Sequence, residues 1–429
     1  MSSCRMTQPD GHPHAAAARM PRALVGTFAG AAGLSVANVY YAQPLLDTLA
    51  DDFGISRGVA GSVVTATQVG CALALLFLVP LGDQWERRRL MLVQLALLAV
   101  SLLGVSMATS AAGLLLGMAA VGLLGTAMTQ GLIAFASSVA GEHERGRVVG
   151  ATQGGVVVGL LLARVMSGAI ADLAGWRGVY LASTAAMLVL GMILWRVLPR
   201  QAVADESGDP KDSPSARQSY GVLLLSMFEL LRRERTLQIR GAIALLMFMA
   251  FSVFWSALVL PLSAAPFHFS HTAVGAFGLV GAAGAIAAAR AGAWADRGWA
   301  QRTTGLSLAL LTLAWLPLAG LHASLVWLVL GVLLLDLAGQ AIHVTNQSLI
   351  FAARTDAPSR LVGVYMLFYA TGSGLGALAA TATYASFGWS GVCLLGAGVS
   401  LAALVFWAAT LQFMPDAASS TSPSARLGA

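Results

Sequence analysis

Apolar residues run through this chain in long blocks with no polar alternation. Twelve stretches, near 24–48, 59–82, 90–108, 112–140, 148–171, 178–198, 241–263, 273–292, 304–320, 324–351, 361–385 and 390–413, carry almost no charge. A hydrocarbon core about 30 Å thick takes roughly 20 consecutive apolar residues per helix. The pattern therefore predicts an all-α membrane protein with twelve transmembrane helices. A barrel would show alternating segments of about 10 residues instead, and the continuous runs fit only helices, which satisfy their own backbone groups.

The twelve runs divide six and six. Asp83 and Asp296, Arg147 and Arg360, and Trp176 and Trp389 are pairs of identical residues, each 213 positions apart. A shared offset at three anchors marks a duplicated half, and a repeat sets the architecture before any local feature does. The expected organisation is an N-terminal arm over 1–22, a six-helix half over 23–198 and a linker over 199–236. A second six-helix half follows over 237–413, then a tail over 414–429. The two halves should be pseudo-symmetric.

Charge decides orientation. Hydrophobic residues make up 57% of the chain and charged residues 10%, against about a quarter in soluble proteins. Arg19 and Arg22 precede span 1, Arg87, Arg88 and Arg89 follow span 2, and Arg145 and Arg147 follow span 4. The central segment holds Arg196, Arg200, Lys211, Arg217, Arg232, Arg233, Arg235 and Arg240, and Arg297, Arg302, Arg354 and Arg360 follow spans 8 and 10. The opposite side has only Arg57 and Arg177. Positive loops stay in the cytoplasm, so both termini are expected there. The net charge of +6 is then a signal of topology and implies no nucleic-acid partner.

Span 1 is expected to be retained and not cleaved as a signal peptide, because span 7 would otherwise lack its counterpart. Cys4, Cys71 and Cys393 have no metal or redox spacing. Residues 199–219 read as a flexible linker. Tyr220 to Arg235 mixes Leu223, Met227, Leu230 and Leu231 with arginines, as does a helix lying on the membrane surface against anionic lipid headgroups.

The stretch Val79-Pro80-Leu81-Gly82-Asp83-Gln84-Trp85-Glu86-Arg87-Arg88 resembles the G-x-L-a-D-R-x-G-R-R signature of the major facilitator superfamily. A second copy, Gly292-Ala293-Trp294-Ala295-Asp296-Arg297, stands at the 213-residue offset. Val79 and Glu86 replace the two glycines of the first copy, and Gln84 replaces its arginine. The resemblance implies the major facilitator fold and a cytoplasmic gate at Asp83, Arg87, Arg88, Asp296 and Arg297. Asn38-Val39-Tyr40-Tyr41-Ala42-Gln43-Pro44 and the glycine-rich span 5 resemble the twelve-span drug:proton antiporter branch. Span 5 has Gly154, Gly155, Gly159, Arg164 and Gly168 but no proline of the branch's G-P-x-x-G-G element.

Ionisable residues deep in a span are costly and usually face a water-filled path. Span 10 places Asp336, Gln340, His343 and Gln347 on one helical face with Asn346 at its edge. In the family this span lines the central cavity together with spans 1, 4 and 7. Asp336 and His343 could each load and release a proton, or the stripe could be polar glue between helices. Arg164 in span 5 could pair with Asp336, bind an anionic substrate group or bond backbone carbonyls, and it joins them as a proton-coupling candidate. Asn38, Tyr41, Gln43 and Gln130 are substrate-cavity candidates with Gln340, Asn346 and Gln347. Tyr40 serves equally as core, and Gln68 is a weaker candidate.

No nucleotide-binding glycine loop, zinc helix, paired-cysteine metal site or nucleophile elbow is present, so an enzyme is not expected. The expected function is secondary transport of a small organic molecule across a bacterial inner membrane by alternating access. It would be a proton-driven efflux, with no cofactor and no metal, carried out by a monomer. Metabolite or sugar symport or uniport is the alternative, and a non-transporting receptor or scaffold a third reading.

Overall fold

A computed structural model of the chain describes residues 20–82, 85–141, 144–198, 220–282, 284, 290–291, 293–353 and 358–413. Helix is the only repetitive structure among the described residues. Nine helical segments there are long and apolar enough to cross a membrane. Arg145–Val197 and Arg360–Phe413 are each two spans, broken at Gly175 and Gly388, and His271–Val280 opens span 8. All twelve apolar runs thus meet helix.

Span 1 is Arg22–Asp52, span 2 Arg57–Leu81, span 3 Arg87–Ser106 and span 4 Ala111–Val139. Spans 5 and 6 flank Gly175, span 7 is Arg235–Ser263, span 9 Arg297–His322, span 10 Leu325–Ala353, and spans 11 and 12 flank Gly388. Leu116, Leu316 and Leu394 are 74%, 71% and 75% exposed. Helices apolar all round are at home in lipid, where such an outer surface carries no penalty.

Gly175 (φ 70°, ψ 172°) and Gly388 (φ 64°, ψ −161°) occupy a backbone region essentially reserved for glycine. They are 213 residues apart, so the duplicated unit includes this hairpin corner. The tryptophan after each pins it. Trp176 Nε1 donates to Asp52 Oδ2 at 2.6 Å, and Trp389 Nε1 donates to the Leu318 carbonyl at 2.8 Å. Asp52 also pairs with Arg177 at 2.9 Å.

Within each half, glycines bring helix backbones into contact. A Cβ on Gly159 would lie 2.2 Å from the Gly33 carbonyl oxygen, binding span 5 to span 1. Gly372, again 213 residues on, meets the Leu245 oxygen at 2.1 Å by the same construction and binds span 11 to span 7. Lipid offers no hydrophobic drive for helix association, so such close packing supplies it.

Two expectations change. Arg240, counted above with the charges of the central segment, lies inside span 7 and is fully buried. It donates from its terminal nitrogens to Thr304 Oγ1 (3.0 Å), Asn346 Oδ1 (3.3 Å) and Gln301 Oε1 (2.7 Å), neutral groups of the second half, while its Nε has no partner. The helix expected after the linker spans Tyr220–Arg233. Its Met227 and Leu230 are buried with Leu361 and Val364, while Val222, Leu225 and Phe228 remain exposed. The Tyr220 hydroxyl donates to the Phe77 carbonyl of span 2 at 2.7 Å, and Arg360 of span 11 donates to Ser226 at 3.0 Å.

Gly159→Val should destabilise the folded protein by about 1–3 kcal/mol or more through overpacking. Gly175→Ala should cost about 1–3 kcal/mol through backbone strain without changing helix content. Thermal unfolding of the detergent-solubilised variants, followed by circular dichroism, checks both.

Candidate functional site

The Arg-rich loops and the linker helix define one face of the bundle, and Asp47, Asp172 and His271 lie at the other. Among the described residues, hydrogen bonds between the two halves lie toward that arginine-poor face. Thr381 Oγ1 accepts from Gly61 N at 3.0 Å and donates to the Gly58 carbonyl at 3.2 Å, and the Thr65 hydroxyl donates to the Gly374 carbonyl at 2.8 Å. Asp172 accepts from the backbone of His271 and Thr272 at 3.0 and 2.9 Å. Tyr40 and Tyr369 share a short hydrogen bond nearer mid-span. On the arginine-rich side, the linker helix is the described element that hydrogen-bonds to both halves.

Just below this closure lies a polar cluster built from both halves. Pro44, in a 3-10 turn over Gln43–Leu45, tightens span 1 where a helix would otherwise continue, and Gln43 is buried there. Its Oε1 accepts from Arg164 Nε of span 5 at 2.9 Å. The guanidinium sits 4.1 Å from the Trp255 ring centroid of span 7 and 5.3 Å from that of Tyr40. Cation–π contacts of this kind contribute about 0.5–2 kcal/mol and more when dry. Gln43, Arg164 and Trp255 line a small cavity with Pro44, Leu258, Val274 and Gly275.

Asp336 approaches from span 10 against Gly281, whose missing side chain makes room for the carboxylate. It is 3% exposed. Arg164 and the Trp255 indole are its electrostatic partners. There is no direct ion pair, and Asp336 Oδ2 and Trp255 Nε1 both lack a partner within hydrogen-bond geometry. A buried carboxylate oxygen without a partner is expensive.

The other candidates fall in several places. Gln340 packs its stem against Gly284 of span 8, beside Asp336. Gln347 and Gln130 are half-buried. His343 Nδ1 is 2.9 Å from the Tyr365 hydroxyl, and its ring meets Phe248 edge-on at 5.3 Å. It joins the cluster only through aromatic rings, since Phe248 also meets Tyr369 at 4.4 Å. Asn346 is a correction: it turns to Arg240 inside the second half, where a buried guanidinium needs an acceptor. Asn38 is another. Its Oδ1 accepts from Ser183 of span 6 at 2.5 Å, so it ties span 6 to span 1 and does not face the interface. Tyr41 interacts with the same Ser183. The adjacent Tyr40, one residue back, stands at the interface in its place.

Arg87 donates to the Gly82 and Ala134 carbonyls, each at 3.2 Å, and Arg88 to the Trp195 carbonyl at 2.6 Å, all within the first half. Arg297 is exposed. Asp83 and the Asp296 side chain lie outside the described residues, as do 1–19 of the N-terminal arm, 199–219 of the linker and the tail from 414. Sequence reading missed Trp255 and Tyr369. Both would have surfaced had the comparison of the two copies extended to aromatic residues, because 213 positions earlier stand Ala42 and Val156.

Comparison with known proteins agrees with this architecture. The family model described as Major Facilitator Superfamily matches residues 28–370 and 241–428. An uncharacterised transporter, YgaY, of Escherichia coli O157:H7 is 40% identical over 385 residues, covering 90% of this chain and 95% of its own length. The purine ribonucleoside efflux pump NepI of Escherichia coli O127:H6 is 31% identical over 169 residues, 39% of this chain and 42% of that pump. Among solved structures, a bacterial homologue of the human lysosomal transporter Spinster, in an inward-facing and occupied conformation, superposes with a TM-score of 0.67. It is 15% identical, covering 91% of this chain and 95% of that one.

Arg164→Lys keeps the charge but loses the planar stack on Trp255 and the Nε bond to Gln43, which Lys cannot reproduce. Losing a buried charge-assisted hydrogen bond costs about 1.5–3 kcal/mol, so the variant should lose folded stability by about that amount. Thermal unfolding of the detergent-solubilised variant checks this.

Proposed function

The chain belongs to the major facilitator superfamily, and we propose that this transporter is a proton-driven exporter of small organic molecules. Asp336 is its proton carrier and Arg164 its substrate-facing cation. The observation that carries this reading is the unsatisfied Asp336 Oδ2, buried at the junction of the halves beside Arg164. When Asp336 is ionised, Arg164 is its electrostatic counterpart. When it takes a proton, the oxygen that would accept a substrate's donor groups is occupied and the substrate is released. Proton and substrate then compete for one site, which is the requirement of antiport by alternating access.

The chemistry around Arg164 favours a flat, polar ring system. Trp255 and Tyr40 offer faces for stacking, and Gln43 with Arg164 offers an acceptor and donors in one small cavity. The relative named as a purine ribonucleoside efflux pump supports both export and this substrate class. The arginine-rich face is cytoplasmic in the bacterial inner membrane, with both termini inside. One chain carries both halves, so a monomer suffices, and membrane lipids surround it.

Inside-out vesicles with a preset acid-inside gradient test the reading. Addition of a transported nucleoside should dissipate the gradient, and Asp336→Asn should abolish that response while leaving the protein folded. A dissipation equal to the parent's in Asp336→Asn would remove Asp336 from the proton path. Dissipation that follows substrate only when the preset gradient is acid-outside would make the protein a symporter.

A further inference from the structure

His271 stands at the start of span 8 on the arginine-poor face, just ahead of the apolar run 273–292. Its Nδ1 lies 3.1 Å from Asp172 Oδ1 of span 5. Its Nε2 lies 3.3 Å from Asp47 Oδ1 and 3.0 Å from Thr48 Oγ1, both of span 1. The two carboxylates belong to the first half and the imidazole to the second. A neutral imidazole carries one N–H and can donate to one carboxylate only, leaving the other against a bare lone pair. An imidazolium donates to both.

Asp172 cannot turn away to relieve that mismatch. It already accepts from the backbone N–H groups of His271 and Thr272 and from the Thr272 hydroxyl at 2.5 Å, capping the first turn of span 8. The titratable groups facing His271 are Asp47 from span 1 and Asp172 from span 5. The end of span 7 supplies the neutral Ser263, which interacts with Asp47.

We propose that His271 is a second proton-binding site of this transporter, held between Asp47 and Asp172, and that its proton fastens the two halves on the arginine-poor face. The proposal rests on the alternating-access reading above but is independent of Asp336 as carrier. The hydrogen bond with Asp47 is the largest influence on His271, and despite partial burial the two carboxylates hold its pKa above the ordinary imidazole value. The closed arrangement therefore binds the proton more tightly than one in which the three spans have separated. Its extra stability is complete below about pH 6.5, the ordinary imidazole value, and is lost as pH rises through the elevated pKa.

Spin labels at Met107 of the first half and Val326 of the second, which are 70% and 73% exposed on this face, report its opening. The full-length protein, with Cys4, Cys71 and Cys393 replaced by serine, is frozen at steps from about pH 5 to about pH 9 for distance measurement by pulsed electron resonance. The short-distance population should dominate in acid and fall about threefold or more toward alkaline pH. His271→Gln should remove the pH dependence, and Asp47→Asn, which preserves shape, should move the midpoint to lower pH. Asp336→Asn should leave the titration in place even if it abolishes transport, so the two proton sites fail separately. A His271→Gln protein that titrates like its parent would overturn the proposal, as would an Asp47→Asn midpoint that does not move.

Discussion

A charge taken out of water and surrounded by hydrocarbon must be satisfied by neighbours, and this requirement organises the interior of the bundle. Arg240 meets it fully at its terminal nitrogens, with three neutral acceptors from spans 9 and 10. That network joins spans 7, 9 and 10 of the second half. Arg164 meets it through one hydrogen bond to Gln43 and two aromatic faces, an arrangement with donors to spare. Asp336 leaves one carboxylate oxygen unpartnered, as Arg240 leaves its Nε.

The same logic separates what is duplicated from what is not. Gly175 and Gly388 turn two pairs of spans at matching corners, and Gly159 and Gly372 permit matching backbone contacts. These are mechanical needs, and both halves have them. The interface chemistry is single-copy. Arg164 and Asp336 correspond to Ala377 and Leu123 in the other half, and Trp255 to Ala42. Both halves need the same corners and close backbone contacts, while the polar groups at their junction stand in one copy only.

The faces of the assembly differ in how the halves are tied. On the arginine-poor side, spans 1 and 5 meet span 8 and span 2 meets span 11 through side chains and backbone alike. On the arginine-rich side, the linker helix reaches span 2 with Tyr220 while its buried face stays on span 11. The helix anticipated as a membrane-surface element is therefore also a strap. Its exposed Val222, Leu225 and Phe228 keep the lipid-facing character that its pattern implied.

Span number, the six-and-six division and the scarcity of intramembrane charge were legible in the chain, because lipid forces each spanning segment to declare itself by length and hydropathy. Arg164, Asp336 and Gln43 also stood out, since a charge or amide within an apolar run has few structural excuses. Which way each helix turns was not legible. Helices apolar on every side have no solvent-facing stripe to fix their rotation. Asn38 and Tyr41 against Tyr40, and Asn346 against Asp336, were therefore decided by packing alone. The pairing of His271 with Asp47 and Asp172 likewise needed three spans, more than 200 residues apart in part, to meet at one face. Sequence determined what each span contains, and tertiary contact determined which of those groups see one another.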